Sequence, residues 1–229
     1  MKKLKNILIT LFFSMLLGLS ITNAQNDTTV LHSFDTSVEG WSIVGDGTEI
    51  EWRPNAGISG SAICSTDLGE GILWYFQAPY QGDKSDWYGQ ILKFSLKQQA
   101  STLEWVDDYD LFLTNNTTGE TLVYDNPIDP PRNGQPIAYS IALSEADNWR
   151  NRHTGYPATK TEILSVLSSL SSLQIRGEYI NGADSACLDD IQIQPIPIDW
   201  TSRVDCVGAL PSRLLIGYEG RVLDNPPNR

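Results

Sequence analysis

Histidine, cysteine and positive charge are all scarce in this 229-residue chain. The chain has two histidines, three cysteines, and 16 lysines and arginines against 28 aspartates and glutamates, which gives a net charge of −12. A surface this acidic repels the phosphates of nucleic acid and of anionic lipid. The composition therefore predicts a protein that has no nucleic-acid partner.

The common catalytic motifs are also missing from the sequence. Neither His32 nor His153 stands in an HExxH motif, no serine stands in a G-x-S-x-G motif, and no cysteines have C-x-x-C spacing. Pairs of acidic residues are frequent, so a glycoside hydrolase is kept as a distant alternative. The absence of a catalytic signature favours a binding module, and we expect no enzyme activity.

The chain has one long apolar run, and it lies at the N-terminus. Lysines precede the apolar residues 7–19, and the small residues Thr22 and Ala24 stand just before Gln25. This is the pattern of a cleaved signal peptide, and the run is shorter than the roughly 20 residues that span a bilayer. We expect a signal peptide at residues 1–24, a secreted or cell-surface protein (periplasmic is the bacterial alternative), and no membrane insertion after cleavage.

Short strand patterns separated by turns make up most of the remaining sequence. Residues Gln90–Leu96 alternate between apolar and polar, and Asn181-Gly182 is a strong turn signal. Strand patterns at this spacing predict an all-β sandwich at residues 25–197. Residues 198–229 have no clear periodicity, and we treat them as a C-terminal extension of unknown structure.

One segment has the pattern of a helix. Thr159 and Glu162 have the spacing of a capping box, in which each side chain bonds to the other residue's backbone N–H. Apolar residues follow at helical spacing from Ile163 to Leu170. The sequence therefore predicts one short helix within the β domain.

A sharp break interrupts the aromatic strand pattern that begins at Trp74. Pro79 lacks an amide donor, so it belongs at a strand end or at a sheet edge. The polar loop from Tyr80 to Asp86 then leads into the next strand pattern. In a sandwich this break lets successive strands belong to different sheets.

Several short motifs occur in a characteristic order along residues 31–195. In chain order they are FDTSVEGW from Phe34, WYF from Trp74, Ala78-Pro79, Gly82-Asp83, Tyr88-Gly89, LKF from Leu92, the predicted helix, LQIR from Leu173 and LDDI from Leu188. This order resembles the laminin B domain, also called laminin domain IV. The resemblance implies a jelly-roll β-sandwich of the carbohydrate-binding-module type.

The resemblance also implies what the protein does. It points to a secreted, non-catalytic binding module with an adhesion or matrix-type role, whose partner is an extracellular protein or a glycan. The alternative is a carbohydrate-binding module that attaches to polysaccharide. An exposed linear row of aromatic side chains would favour the alternative, and a flat polar face without them would favour a protein partner.

A structural calcium ion is the cofactor that the resemblance implies. Many jelly-roll binding modules hold Ca²⁺ near the first and the last strand, and Asp189 in the last strand with Asp35 near the first are the candidate ligands here. By strand alternation Asp189 shares a face with Ile191 and Ile193, which places its carboxylate inward, and calcium favours such oxygen ligands. The other interpretation is a carboxylate that accepts backbone N–H bonds.

Two of the three cysteines lie in predicted strands. Jelly rolls place the final strand beside an early one, so Cys64 and Cys187 are candidates for a disulfide. The other interpretation is a pair of small buried thiols. Cys206 lies in the predicted extension and has no evident partner.

A set of aromatic and acidic residues is the candidate ligand site. Trp105, Asp107 and Tyr109 lie together in a polar segment, where rings can stack on sugars and carboxylates can hold hydroxyls. The other interpretation is a loop tryptophan that plugs one end of the sandwich. By their sequence context we expect Trp41, Trp74 and Tyr75 in the core, and four further tryptophans exposed: Trp52, Trp87, Trp105 and Trp149.

Overall fold

The computed structural model describes residues 29–58, 60–67, 71–100 and 105–195, and two residue pairs, 215–216 and 222–223. The predicted signal peptide, Cys206 and most of the predicted extension lie outside the described residues. Within the described residues, no helix has the length and apolar composition needed to cross a membrane. The strands are β1 Thr29–His32, β2 Ser42–Val44, β3 Glu51–Arg53, β4 Ala62–Asp67, β5 Tyr75–Gln77, β6 Gln90–Ala100, β7 Leu111–Asn115, β8 Glu120–Tyr124, β9 Asn133–Ala142, β10 Arg150–Asn151, β11 Ser172–Arg176, β12 Asp184–Pro195, β13 Leu215–Ile216 and β14 Val222–Leu223.

The strands of the domain form two antiparallel sheets. The first sheet has the order β3-β4-β12-β6-β9, with β1 also paired to β12, and the second has the order β10-β8-β7-β11-β5-β2. Strands β13 and β14 pair with each other. The predicted all-β sandwich is confirmed.

One hydrophobic core lies between the two sheets. Leu92, Phe94 and Leu96 of β6 belong to it together with Leu111 and Leu113 of β7. Because side chains alternate along a strand, the residues between them face outward. Each sheet therefore has a core face and an outer face.

The tryptophans divide differently from what their sequence context predicts. Trp41 and Trp74 are buried, and Trp52 and Trp105 are exposed, as expected. Trp87 and Trp149 are buried, however, so the prediction that they are exposed is wrong. The Trp149 indole N–H donates to the carbonyl of Ala142 at 2.8 Å, which satisfies its one polar atom inside the core.

The connection from β5 to β6 carries the chain from one sheet to the other. Strand β5 belongs to the second sheet and β6 to the first. After Pro79 the chain runs alongside the end of the helix, where Gly82 and Leu170 exchange backbone hydrogen bonds. The expected change of sheets at this break is confirmed.

The described residues contain one α-helix, α1, which spans Lys160–Ser168. Thr159 is its N-cap, and both hydrogen bonds of the predicted capping box with Glu162 are present. Ile163, Val166 and Leu167 face the core. A second Glu162 oxygen accepts from the Asn151 amide at 2.9 Å, so the helix start also fixes the position of β10.

A β-bulge changes the orientation of residues in the last long strand. In the pairing of β12 with β6, Asp189 is opposite Ser95 and Gln192 is opposite Lys93, so β12 has one extra residue. Asp190 lies at this irregularity and has a positive φ of 56°. The bulge shifts the alternation, so Asp189 lies on the outer face while Ile191 and Ile193 face the core. The sequence-based placement of all three on one face is wrong.

Candidate functional site

The outer face of the second sheet carries a continuous row of polar side chains. Strand pairing places Ser42 opposite Gln77, Gln77 opposite Gln174, and Ser172 opposite Thr114. Thr114 is opposite Thr121, and the Arg152 backbone N–H donates to the Thr121 carbonyl at 2.9 Å. We call this row the cross-strand track; its members are Ser42, Gln77, Ser172, Gln174, Thr114, Thr121 and Arg152.

Hydrogen bonds between neighbours hold the centre of the track in place. The Gln77 side-chain oxygen accepts from the Ser172 hydroxyl at 3.1 Å and from the Gln174 amide at 2.9 Å. The hydroxyl oxygens of Thr114 and Thr121 are 3.3 Å apart. All members of the track are at least partly exposed. The track therefore presents oriented amide and hydroxyl groups to solvent.

Aromatic rings lie beside the track on the same face. Tyr75 and Phe112 pack edge to face with their ring centroids 5.2 Å apart, and Tyr109 contacts Phe112 at 6.3 Å. The Tyr75 hydroxyl donates to Asp108 at 3.4 Å, and burial raises the pKa of this hydroxyl further above its usual range. Tyr75 is thus half-buried on the outer face, and its expected place in the core is wrong.

The three residues of the predicted ligand site have different contacts. Tyr109 lies against Phe112 and so belongs to the face that carries the track. Trp105 stacks instead against Arg132, whose guanidinium carbon is 4.5 Å from the ring centroid, and Asp107 is exposed. The members of the track were missed because a single glutamine or threonine in a strand carries no signal; only strand pairing makes them a row.

A compact loop covers the predicted calcium ligand Asp189. One Asp189 oxygen accepts the backbone N–H of Ile58 at 2.9 Å, and the other accepts that of Asp190 at 2.8 Å. The Lys97 ammonium donates to the carbonyls of Ala56 and Gly57 in the same loop. Asp189 is only 3 % exposed. Its carboxylate therefore stabilises the loop that covers it, through the hydrogen bond from Ile58.

Asp35 lies near the same loop but in a different environment. It is exposed and accepts a hydrogen bond from the Ser33 hydroxyl at 2.8 Å. A side chain added at Gly60 would come within 3.7 Å of it, which places Asp35 beside the loop that covers Asp189. Among the described residues, no three histidine, cysteine, aspartate or glutamate side chains are grouped so as to hold a metal ion.

The predicted disulfide between Cys64 and Cys187 is present. The two residues are directly opposite each other in β4 and β12, and their Cα atoms are 4.1 Å apart. The bond lies on the outer face of the first sheet, next to the loop that Lys97 and Asp189 hold. The disulfide links the early strand β4 to β12, the last long strand.

Buried carboxylates cluster at one end of the sandwich. Asp67 and Asp184 are opposite each other in β4 and β12, and Gln98 donates to Asp184 at 2.6 Å. Burial raises the pKa of Asp184 to about 6. Burial, and then the nearby carboxylates of Asp67 and Asp184, raise the pKa of Glu178 to about 7. This cluster faces inward and does not belong to the cross-strand track.

Comparison with known proteins identifies the family and the fold. A family model described as Laminin B (Domain IV) matches residues 73–195. Among solved structures, the family 11 carbohydrate-binding module of a cellulosomal cellulase of Clostridium thermocellum is similar, with 18% identity and a TM-score of 0.50 over 74% of this chain and 95% of that chain.

Two further solved structures are similar. An exo-beta-agarase has 16% identity and a TM-score of 0.52, over 73% of this chain and 25% of that chain. The L4b domain of human laminin alpha-2 has 14% identity and a TM-score of 0.48, over 68% of this chain and 97% of that chain. The matches with TM-scores of 0.50 and 0.52 show a shared β-sandwich fold. Because the family model covers more than half of the sequence, the chain belongs to the laminin B (domain IV) family.

Proposed function

We propose that this protein is an extracellular, non-catalytic binding module with an adhesion or matrix-type role, and that the cross-strand track is its contact surface for a glycan. Membership of the laminin B family supports an extracellular module that acts by binding. The choice of surface rests on the row of polar side chains that crosses β2, β5, β11, β7 and β8 of the second sheet and ends at Arg152, which directly follows β10.

The dimensions of the track suit a chain-like ligand. Neighbouring strands lie about 4.8 Å apart, so a row that runs over five strands and on to the adjacent segment with Arg152 is about 24 Å long. The row is open at both ends because β2 and β10 are edge strands. A surface of this shape can bind a polymer along its length without enclosing the end of the chain.

The chemistry of the face also suits a glycan. Amide and hydroxyl groups of the track can exchange hydrogen bonds with sugar hydroxyls, and the neighbouring half-buried Tyr75 ring offers an apolar surface for the C–H faces. The central groups, Gln77 and Gln174, already have fixed orientations. Because these side chains are already ordered, they lose less conformational entropy when a ligand binds.

Mutation of the two central glutamines tests this proposal. Binding of the mature protein to a glycan array and then to the selected oligosaccharide by calorimetry is the measurement. Gln77→Ala with Gln174→Ala should weaken binding by about tenfold, or about 1.4 kcal/mol. Gln192→Ala removes a glutamine from the first sheet and should leave the affinity unchanged. Equal affinity of all variants would show that the ligand binds elsewhere.

A protein partner is the second candidate, and the exposure of the rings favours it. Phe112 is only 5 % exposed, and the exposed aromatic residues Trp52, Trp105 and Tyr156 lie on separate segments of the described chain. A polar face without a row of exposed rings fits a protein surface. Binding to an extracellular-matrix preparation that is lost after protease treatment but kept after deglycosylation would establish this candidate in place of the first.

We also propose that calcium contributes to stability at the loop over Asp189. The carboxylates of Asp35 and Asp189 and the loop carbonyls are oxygen ligands of the kind that calcium takes; two of these carbonyls accept hydrogen bonds from the Lys97 ammonium, which calcium would have to displace. Calcium should raise the melting temperature of the wild type and have a smaller effect on Asp189→Asn. If calcium changes the melting temperature of the two proteins equally, or changes neither, the proposed calcium site is wrong.

The N-terminal and C-terminal boundaries are part of the proposal. We propose that residues 1–24 are removed on export and that residues 25–197 form the domain, followed by an extension from 198. Expression in a secreting host followed by N-terminal sequencing should give Gln25 as the first residue. Retention of Met1 in the exported protein would contradict the proposed cleavage.

A further inference from the structure

We propose that Arg152 gives the cross-strand track a preference for glycans that carry carboxylate groups, that is, for uronic-acid polysaccharides. This inference rests on the proposed function, because it specifies the ligand of the same track. The observation behind it is that the one charged member of the track presents a guanidinium group at one end of a row of uncharged groups.

The guanidinium of Arg152 is held in place by stacking. Its carbon lies 5.0 Å from the centroid of the Phe112 ring. In this arrangement the cation interacts with the face of the ring, while the N–H groups at the edge of the guanidinium remain available. The side chain is exposed, so these donors face a ligand that lies on the track.

Polar contacts to its neighbours fix the backbone around Arg152. The Asn151 side-chain oxygen accepts the N–H groups of His153 and Thr154 at 2.9 and 3.2 Å, and its amide donates to Glu162 at 2.9 Å. The Arg152 N–H bonds to Thr121. The start of the helix and β8 therefore set the position of Arg152, which is a prerequisite for a selective contact.

The guanidinium has no anionic partner within the described part of the chain. The ion pairs found there join His32 to Glu39, Arg53 to Glu51 and Arg176 to Asp110. Glu120 lines the same groove as Arg152 but is not within ion-pair distance of it. By contrast, nearby Arg150 donates to the carbonyl of Gly155 at 3.1 Å. Among the members of the track, Arg152 is thus a cation that is free to bind a carboxylate.

A carboxylate is the ligand group that best matches this donor. Its two oxygens accept two parallel N–H bonds from a guanidinium, which adds both energy and orientation. The chain as a whole is strongly acidic, with a net charge of −12, so its surface as a whole repels an anionic polymer. A preference for uronic acids must therefore come from a specific contact, and Arg152 provides one in register with the track.

Matched acidic and neutral ligands test the inference on the mature protein. The ligands are hexasaccharides of galacturonic acid, of its fully methyl-esterified form, and of a neutral β-glucan, with affinities measured by calorimetry at low salt. The wild type should bind the acid about tenfold more tightly than the ester, or about 1.4 kcal/mol. This difference should shrink as salt is added, because the contact is partly exposed.

Variants of Arg152 assign the preference to this residue. Arg152→Gln should bind acid and ester equally, and Arg152→Lys should keep only part of the preference, because an ammonium cannot form the paired bonds. Arg53→Gln removes a partly exposed arginine of the first sheet and should behave as the wild type. A preference for the acid that persists in Arg152→Gln would overturn the inference.

The outcomes separate this inference from the proposed function. Equal wild-type binding of acid and ester, or binding of the neutral β-glucan alone, overturns the carboxylate preference and leaves the glycan surface standing. Binding of none of the three ligands, together with a negative glycan array, overturns both.

Discussion

At the scale of single residues, the buried carboxylates are the groups most sensitive to solution conditions. Glu178 accepts the backbone N–H of Trp74 at 3.3 Å and is only 4 % exposed. Burial likewise raises the pKa of Asp110 to about 6, although its neighbours Asn126 and Arg176 act in the opposite direction. A carboxyl group whose pKa is raised by folding retains its proton more strongly in the folded state than in the unfolded state.

The domain should therefore lose stability as the pH rises from 5 to 8. The stabilising contribution of Glu178 is complete below its unfolded pKa of about 4.5 and is lost as the pH passes its folded pKa of about 7. Asp184 and Asp110 act in the same direction near pH 6. We expect the melting temperature to fall by several degrees over this range, as measured by circular dichroism.

Two substitutions distinguish this explanation from a general effect of charge. Glu178→Gln removes the titrating group from the cluster and should flatten the dependence between pH 5 and 8. Glu145→Gln changes a solvent-exposed carboxylate whose pKa is lowered by the Tyr88 hydroxyl, so it should leave the dependence in this window unchanged. Parallel curves for all three proteins would rule out Glu178 as the source.

At the scale of elements, local patterns predicted conformation better than they predicted orientation. The sequence predicted the capping box at Thr159 and Glu162 and the alternation of β6, because both patterns involve residues that are close in sequence. The bulge at Asp190 could not be predicted from the sequence, because it depends on the pairing of β12 with β6. It reverses the face of Asp189, and so a correct strand prediction gave a wrong orientation for its candidate ligand.

The capping box provides a test at this scale. Thr159→Ala removes the side-chain acceptor for the Glu162 N–H and should lower the free energy of unfolding by about 1 kcal/mol. Urea denaturation is the measurement. Thr161→Ala is the matched control, since Thr161 is exposed in the first turn and alanine has the higher helix propensity. Equal destabilisation by both substitutions would mean that the cap contributes nothing specific.

At the scale of the whole molecule, the disulfide is the covalent link between distant parts of the chain. Cys64 and Cys187 are 123 residues apart in sequence, and their strands are neighbours in the first sheet. Closing so long a loop restricts the unfolded chain much more than the folded one. The bond therefore stabilises the sandwich as a unit and does not act on one strand alone.

Removal of this bond should destabilise the entire domain. The double substitution Cys64→Ala and Cys187→Ala should lower the free energy of unfolding by about 2–5 kcal/mol. Guanidinium denaturation of the variant and of the oxidised parent, both carrying Cys206→Ser to prevent exchange, is the measurement. The oxidised parent treated with reductant should fall to the stability of the variant. A variant as stable as the oxidised parent would contradict this role.

The sequence by itself determined the fold class and the family and made Cys64 and Cys187 candidates for a disulfide, since periodic strands, motif order and cysteines in strands are local or ordered signals. It also placed Trp74 in the core and Tyr109 in a candidate site. Only the tertiary structure decided which residues meet: it buried Trp149, turned Asp189 to the outer face and aligned Gln77, Gln174, Thr114 and Arg152 in one row. The physical reason is that contacts across strands depend on register and on bulges, which arise from long-range pairing and leave no periodic trace in any one segment.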